Sequence, residues 1–125
     1  MIVLTGGDHV LSRYLKSRFH NEPHPVTFTS DYRKVTLDLK EIIFVESRDT
    51  EVWIYATDGR HFRNKTGITQ WENLLGEDFI RVHRSFVVRK ESIQENLYDS
   101  LTLADCTSIP VSRKYRDTVA SLSDN

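Results

Sequence analysis

Three short polar segments carry cations where the apolar pattern of the chain breaks. Arg48-Asp49-Thr50-Glu51 separates two apolar runs, and Arg84-Ser85 interrupts another, with Arg89 and Lys90 just beyond it. Arg113 and Lys114 follow Ile109-Pro110-Val111-Ser112, with Arg116 close behind, and Lys65 stands ahead of a helical pattern. A guanidinium offers its N–H donors as a planar fork, which matches a guanine edge or a phosphate. Cationic loops projecting from one edge of a β scaffold could therefore follow a groove of duplex DNA, with Lys65 adding a phosphate contact. Taken singly, each of these cations is an ordinary solvated surface charge.

Catalytic chemistry has weaker support. His61, His83 and Cys106 are the obvious candidates for a base or nucleophile. None lies in a Gly-x-Ser-x-Gly, His-Glu-x-x-His or glycine-rich phosphate motif. His20 and His24 have the spacing of a metal pair, but Pro23 between them opposes a shared helix face. The sequence thus predicts no catalytic residue, no metal ligand and no cofactor. Cys106 is the single cysteine, so it forms no internal disulfide; after Leu101, Leu103 and Ala104 it is expected as a small buried apolar residue.

The elements that position these residues must fit in 125 residues, the size of one domain. Hydrophobic residues make up 38% and charged residues 28%, which suits a water-exposed globular chain with a core. The net charge of −1 argues against indiscriminate nucleic-acid binding but leaves room for a local basic face. No apolar run approaches the length of about 20 residues that crosses a bilayer, so a cytoplasmic chain without membrane insertion is expected.

Residues 1–25 read as an N-terminal helix and linker. Val10, Leu11, Tyr14, Leu15 and Phe19 share a helical face, and Pro23-His24-Pro25 is a stiff connection. The face is expected to pack on the domain or on a second copy. From Val26 the pattern becomes β: Val26–Thr29, then Val35, Leu37 and Leu39 alternating with polar neighbours, then Ile42–Ser47 and Val52–Thr57. Asp58-Gly59 is a two-residue hairpin signal returning through Arg60–Lys65. A helix is expected over Thr66–Leu75, capped by Thr66 or Thr69, with Glu72 at capping-box distance from Thr69 and Gly76 as the stop. Beyond it come a hairpin bent at His83-Arg84-Ser85, a second hairpin through Asp99-Ser100, a short edge strand at Ser108–Ser112 and a terminal helix from Arg113. Residues 121–125 read as a disordered tail.

The run Phe79-Ile80-Arg81-Val82-His83-Arg84-Ser85-Phe86-Val87-Val88, after a helix ending in Leu74-Leu75-Gly76, resembles the LytTR-type DNA-binding domain of bacterial response regulators. The resemblance covers residues 26–120 in order. It implies a mostly β fold, an elongated stack of short antiparallel sheets with one or two small helices, and no cofactor. It also implies transcription regulation in which loops, rather than a helix, read double-stranded DNA at tandem direct repeats as two protomers. An upstream receiver or sensor would supply the input. Residue by residue, the first reading loop matches Arg48 to Glu51, where some relatives carry a histidine absent here. Arg84, asparagine in some relatives, follows the motif histidine, and Arg113 matches the arginine that enters a major groove. His83 is expected to support the bend from inside. The alternative reading is a β-rich protein-interaction module of a signalling protein.

Overall fold

The computed structural model describes residues 24–124. Within these residues, ten short strands form three antiparallel sheets. Strands β1 (Pro25–Ser30) and β2 (Arg33–Asp38) make a two-stranded ribbon. A central five-stranded sheet is built from β3 (Ile42–Arg48), β4 (Glu51–Ala56), β5 (His61–Asn64), β6 (Phe79–His83) and β7 (Phe86–Arg89), in the order β5-β4-β3-β7-β6. A third sheet orders β8 (Ile93–Asn96), β9 (Ser100–Leu103) and β10 (Ser108–Pro110) as β10-β9-β8. The α-helices among the described residues are α1 (Ile68–Leu75) and α2 (Arg116–Ala120).

Period-two alternation explains the stacking, because it gives the central sheet two apolar faces. Val45, Val52, Ile54 and Val87 point to one side, where the β1–β2 ribbon and α1 complete a core with Phe28, Leu37, Trp71 and Leu75. Phe44, Ile80, Val82 and Val88 point to the other, where the third sheet and α2 supply Leu101, Leu103, Ile109 and Val119. The central sheet is thus buried on both faces and holds the two cores apart. Pro110 sits on the edge strand β10, where a missing ladder donor costs nothing.

One buried polar residue ties the first core together. Asn64 is 8% exposed. Its amide donates to the Thr29 carbonyl at 2.7 Å, and its side-chain oxygen accepts from Trp71 Nε1 at 3.1 Å and from the Thr66 N–H at 2.8 Å. Its polar atoms are satisfied on the ribbon, on α1 and on the connection between β5 and α1, which is the condition for burying an amide without a large penalty.

The structure departs from the sequence reading at several places. Pro25 belongs to β1, paired with Asp38, so the connecting segment ends earlier than expected. The rest of the expected N-terminal helix and linker lies outside the described residues. Gly67 occupies the helix N-cap, and no side chain caps α1; the carboxylate of Glu72, expected in a capping box with Thr69, goes instead to Arg81. Cys106 is exposed at a turn with φ 72°, rather than buried, because the chain reverses there between β9 and β10. Arg113–Tyr115 is a tight 3-10 turn leading into α2, and Ser121–Asp124 continues as a second one instead of fraying. Leu122 explains that ending, since it packs on the second core.

Candidate nucleic-acid interface

Antiparallel pairing decides which polar segments meet. Arg48 ends β3 opposite Glu51, which starts β4; Asn64 ends β5 opposite Val52; His83 ends β6 opposite Phe86, which starts β7. The Asp49-Thr50 turn, Lys65 and the Arg84-Ser85 turn therefore all emerge at the same end of the central sheet. Two backbone hydrogen bonds then fasten the segments to one another. The Ser47 N–H donates to the Ser85 carbonyl at 2.8 Å, and the Ser112 N–H donates to the Val82 carbonyl at 3.0 Å. The second bond brings Arg113 beside the Arg84 turn, although nearly thirty residues separate them, as the numbering shows.

The cations at this end differ in how they are held. Asp49 takes a left-handed conformation, φ 54°, that closes the β3–β4 hairpin tightly. Arg48 lies with its guanidinium 4.8 Å from the centre of the Trp53 ring, within cation–π reach. Trp53 itself stacks on His61 at 5.4 Å. Arg84, Arg113 and Lys65 are exposed, and among the described residues no carboxylate pairs with them. Lys114 is exposed too, with its ammonium 5.4 Å from the Tyr115 ring. Elsewhere arginines are neutralised: Arg60 by Glu41, Arg63 by Asp31 and Arg89 by Glu91. Charge left unpaired at one end gives a local basic face in a chain of net charge −1.

Two of the expected site residues are not part of this arrangement. Arg89 ends β7, three residues past Phe86, so it lies roughly 10 Å along the strand, toward the opposite end of the sheet. Its guanidinium is used there, donating to the Lys40 carbonyl at 2.9 Å and to Glu91 at 2.8 Å. Arg116 is half-buried at the start of α2, with its guanidinium 4.9 Å from the Tyr98 ring. Of the rest, Ser85 and Glu51 are half-buried at the strand starts, and Asp49 and Thr50 are exposed at the hairpin tip.

The Arg84 turn is held from inside. His83 Nδ1 accepts the Ser85 N–H at 3.0 Å, so the imidazole supports the bend as an acceptor. Arg81, a residue that sequence reasoning passed over, donates from Nε to the His83 carbonyl at 2.9 Å and from Nη2 to the Arg84 carbonyl at 2.6 Å. Its remaining arm, Nη1, meets Glu72 of α1 at 2.9 Å. The available signal was an arginine alternating with the apolar pair Ile80 and Val82 on a strand, which puts it on the face opposite theirs.

Tyr55 hydrogen-bonds Glu46 at 3.2 Å, and burial together with that carboxylate pushes its phenol pKa up, so it serves as a donor. Among the described residues there is no group of three or more His, Cys, Asp or Glu able to hold a metal ion, and no helix long and apolar enough to cross a membrane.

Known proteins share this fold. The family model for the LytTr DNA-binding domain matches residues 32–123. The sensory transduction protein LytT of Bacillus subtilis (strain 168) is 35% identical over 101 residues, which is 77% of this chain and 42% of that protein. This chain therefore spans well under half the length of that relative. A solved LytTr DNA-binding domain from Bacillus cereus superposes with a TM-score of 0.69, covering 84% of this chain and all of that one at 22% identity, and so shares the fold. With the family model covering most of its length, the chain belongs to the family of LytTr DNA-binding domains.

Proposed function

We propose that this chain is a sequence-specific transcription regulator that reads duplex DNA with loops. The observation that carries the reading is the convergence of Arg48, Arg84 and Arg113 at one end of the central sheet, with no carboxylate paired to them among the described residues, on a backbone joined by the Ser47–Ser85 and Ser112–Val82 bonds. Arg84 and Arg113 carry the base contacts, because an exposed fork can meet two acceptors of a guanine at once. Arg48, Lys114 and Lys65 hold phosphates and set register. The Asp49-Thr50 turn and Ser85 supply smaller polar contacts.

Two protomers occupy tandem direct repeats, and the chain works in the cytoplasm with a receiver or sensor partner providing the input. Membership of the family supports the DNA reading, and the longer LytT relative supports a partner segment. A selection of bound duplexes from a random pool tests the whole reading: enrichment of one motif, present twice at a fixed spacing, is expected. Recovery of unenriched sequence overturns it. Retained capture of a protein partner with no duplex binding would favour the interaction-module reading instead.

A further inference from the structure

We propose that Arg81 is a positioning residue that fixes the shape of the Arg84 turn, and that Glu72 on α1 sets base discrimination through it. This rests on the DNA-reading function proposed above and names two residues that never touch the DNA.

Arg81 sits on β6 between Ile80 and Val82, which face the second core. Alternation therefore points Arg81 to the opposite side of the sheet, where α1 lies. There its side chain is only 13% exposed. The register slips between Arg81 and His83, so the ladder alone does not define the backbone at the turn. Three side-chain bonds and one backbone bond define it instead. Arg81 takes two consecutive carbonyls, those of His83 and Arg84. His83 takes the Ser85 N–H, and Ser47 takes the Ser85 carbonyl.

The turn is thus gripped at four backbone atoms, and Arg81 supplies two of the grips. Only a fork can do this while a third donor stays on Glu72, because an ammonium is a single point of charge. Glu72 anchors the fork to α1, whose Trp71 and Leu75 are buried in the first core. A rigid helix thereby sets where the exposed Arg84 guanidinium stands. Base reading needs placement within a fraction of an ångström, whereas phosphate attraction tolerates error.

The test uses the full chain carrying Arg81→Lys or Glu72→Gln. The probes are the duplex selected by the wild type from a random pool, its single-base variants, and an unrelated duplex. Thermal melting establishes that each variant folds. The expected result is that the ratio of affinities for the selected duplex and its variants falls by about tenfold, at the base pairs nearest one loop, while affinity for the unrelated duplex and its salt dependence stay as in the wild type. A purely structural role would weaken all duplexes together and leave the ratio intact, which would overturn the proposal. Should Arg81→Lys not fold, Glu72→Gln decides: an unchanged ratio overturns it. A wild type with no sequence preference fails at the earlier step and removes the DNA-reading function itself.

Discussion

The backbone N–H of Ser47 donates to the carbonyl of Ser85 at 2.8 Å, so the end of β3 and the β6–β7 turn form one rigid ledge. Arg48 and Arg84 stand on that ledge one residue beyond each partner, at the same end of the sheet. Residues on a shared network do not act independently, and their coupling runs to about 0.5–3 kcal/mol. Arg48→Ala and Arg84→Ala are expected to be non-additive in affinity for the selected duplex. The check is a double-mutant cycle; a double variant equal to the sum of the singles would mean that the two loops bind separately.

Arg89 gives the opposite expectation. Its guanidinium is occupied by the Lys40 carbonyl and Glu91, toward the far end of the sheet. Arg89→Ala should lower stability by about 0.5–1.5 kcal/mol, through loss of its hydrogen bond to the exposed Lys40 carbonyl. It should leave the salt dependence of DNA binding unchanged. Lys65→Ala or Lys114→Ala, by contrast, should leave stability alone and reduce the log–log salt slope by about 0.9 each. Denaturant melts and binding across a salt series separate the two groups.

A pH dependence follows from the 3-10 turn joining β2 to β3. Glu41 accepts from Arg60 at 2.7 Å and from the Asp38 N–H at 3.0 Å, and Arg60 above all holds its carboxyl below the ordinary glutamate value. A depressed folded-state pKa contributes stability above the unfolded value and loses it as pH falls through the folded one. The site is exposed, so the effect is small. Glu41→Gln should melt slightly below the wild type at neutral pH, and the gap should close as the solution is acidified past the glutamate range. A gap that stays constant with pH would separate this pair from stability.

How much of this was legible in the residues depends on the distance over which each fact is decided. The strands could be read because alternation is local: Val35 and Leu37, or Val52 and Ile54, declare their faces within a few positions, and Asp58-Gly59 declares its turn with both residues at positive φ. The family resemblance placed the three cationic loops together. What could not be read was where each arginine spends its donors. Arg89 and the Lys40 carbonyl lie 49 positions apart. Glu72 has the right spacing to cap from Thr69, but tertiary packing gives it the more strongly bonded partner, Arg81. Cys106 looked apolar by type, yet the β9–β10 turn falls on it and turns it outward.

Arg113 separates reading from positioning. The Ser112 N–H is fixed on the Val82 carbonyl, and the Tyr115 N–H closes back on the Ser112 carbonyl at 2.9 Å, so the backbone carrying Arg113 is held on both sides. The side chain itself is exposed, and among the described residues no carboxylate pairs with it. A held backbone with an unpaired fork is suited to a two-acceptor contact with guanine, which lysine cannot reproduce. Arg113→Lys should therefore keep most of the affinity for an unrelated duplex but lose about 1–3 kcal/mol of discrimination at one base pair. Arg113→Ala should lose that discrimination and the phosphate attraction as well. Competition between the selected duplex and its single-base variants, run for both variants, measures the difference. Equal discrimination by wild type and Arg113→Lys would take Arg113 out of the reading role and leave it to Arg84 or Arg48.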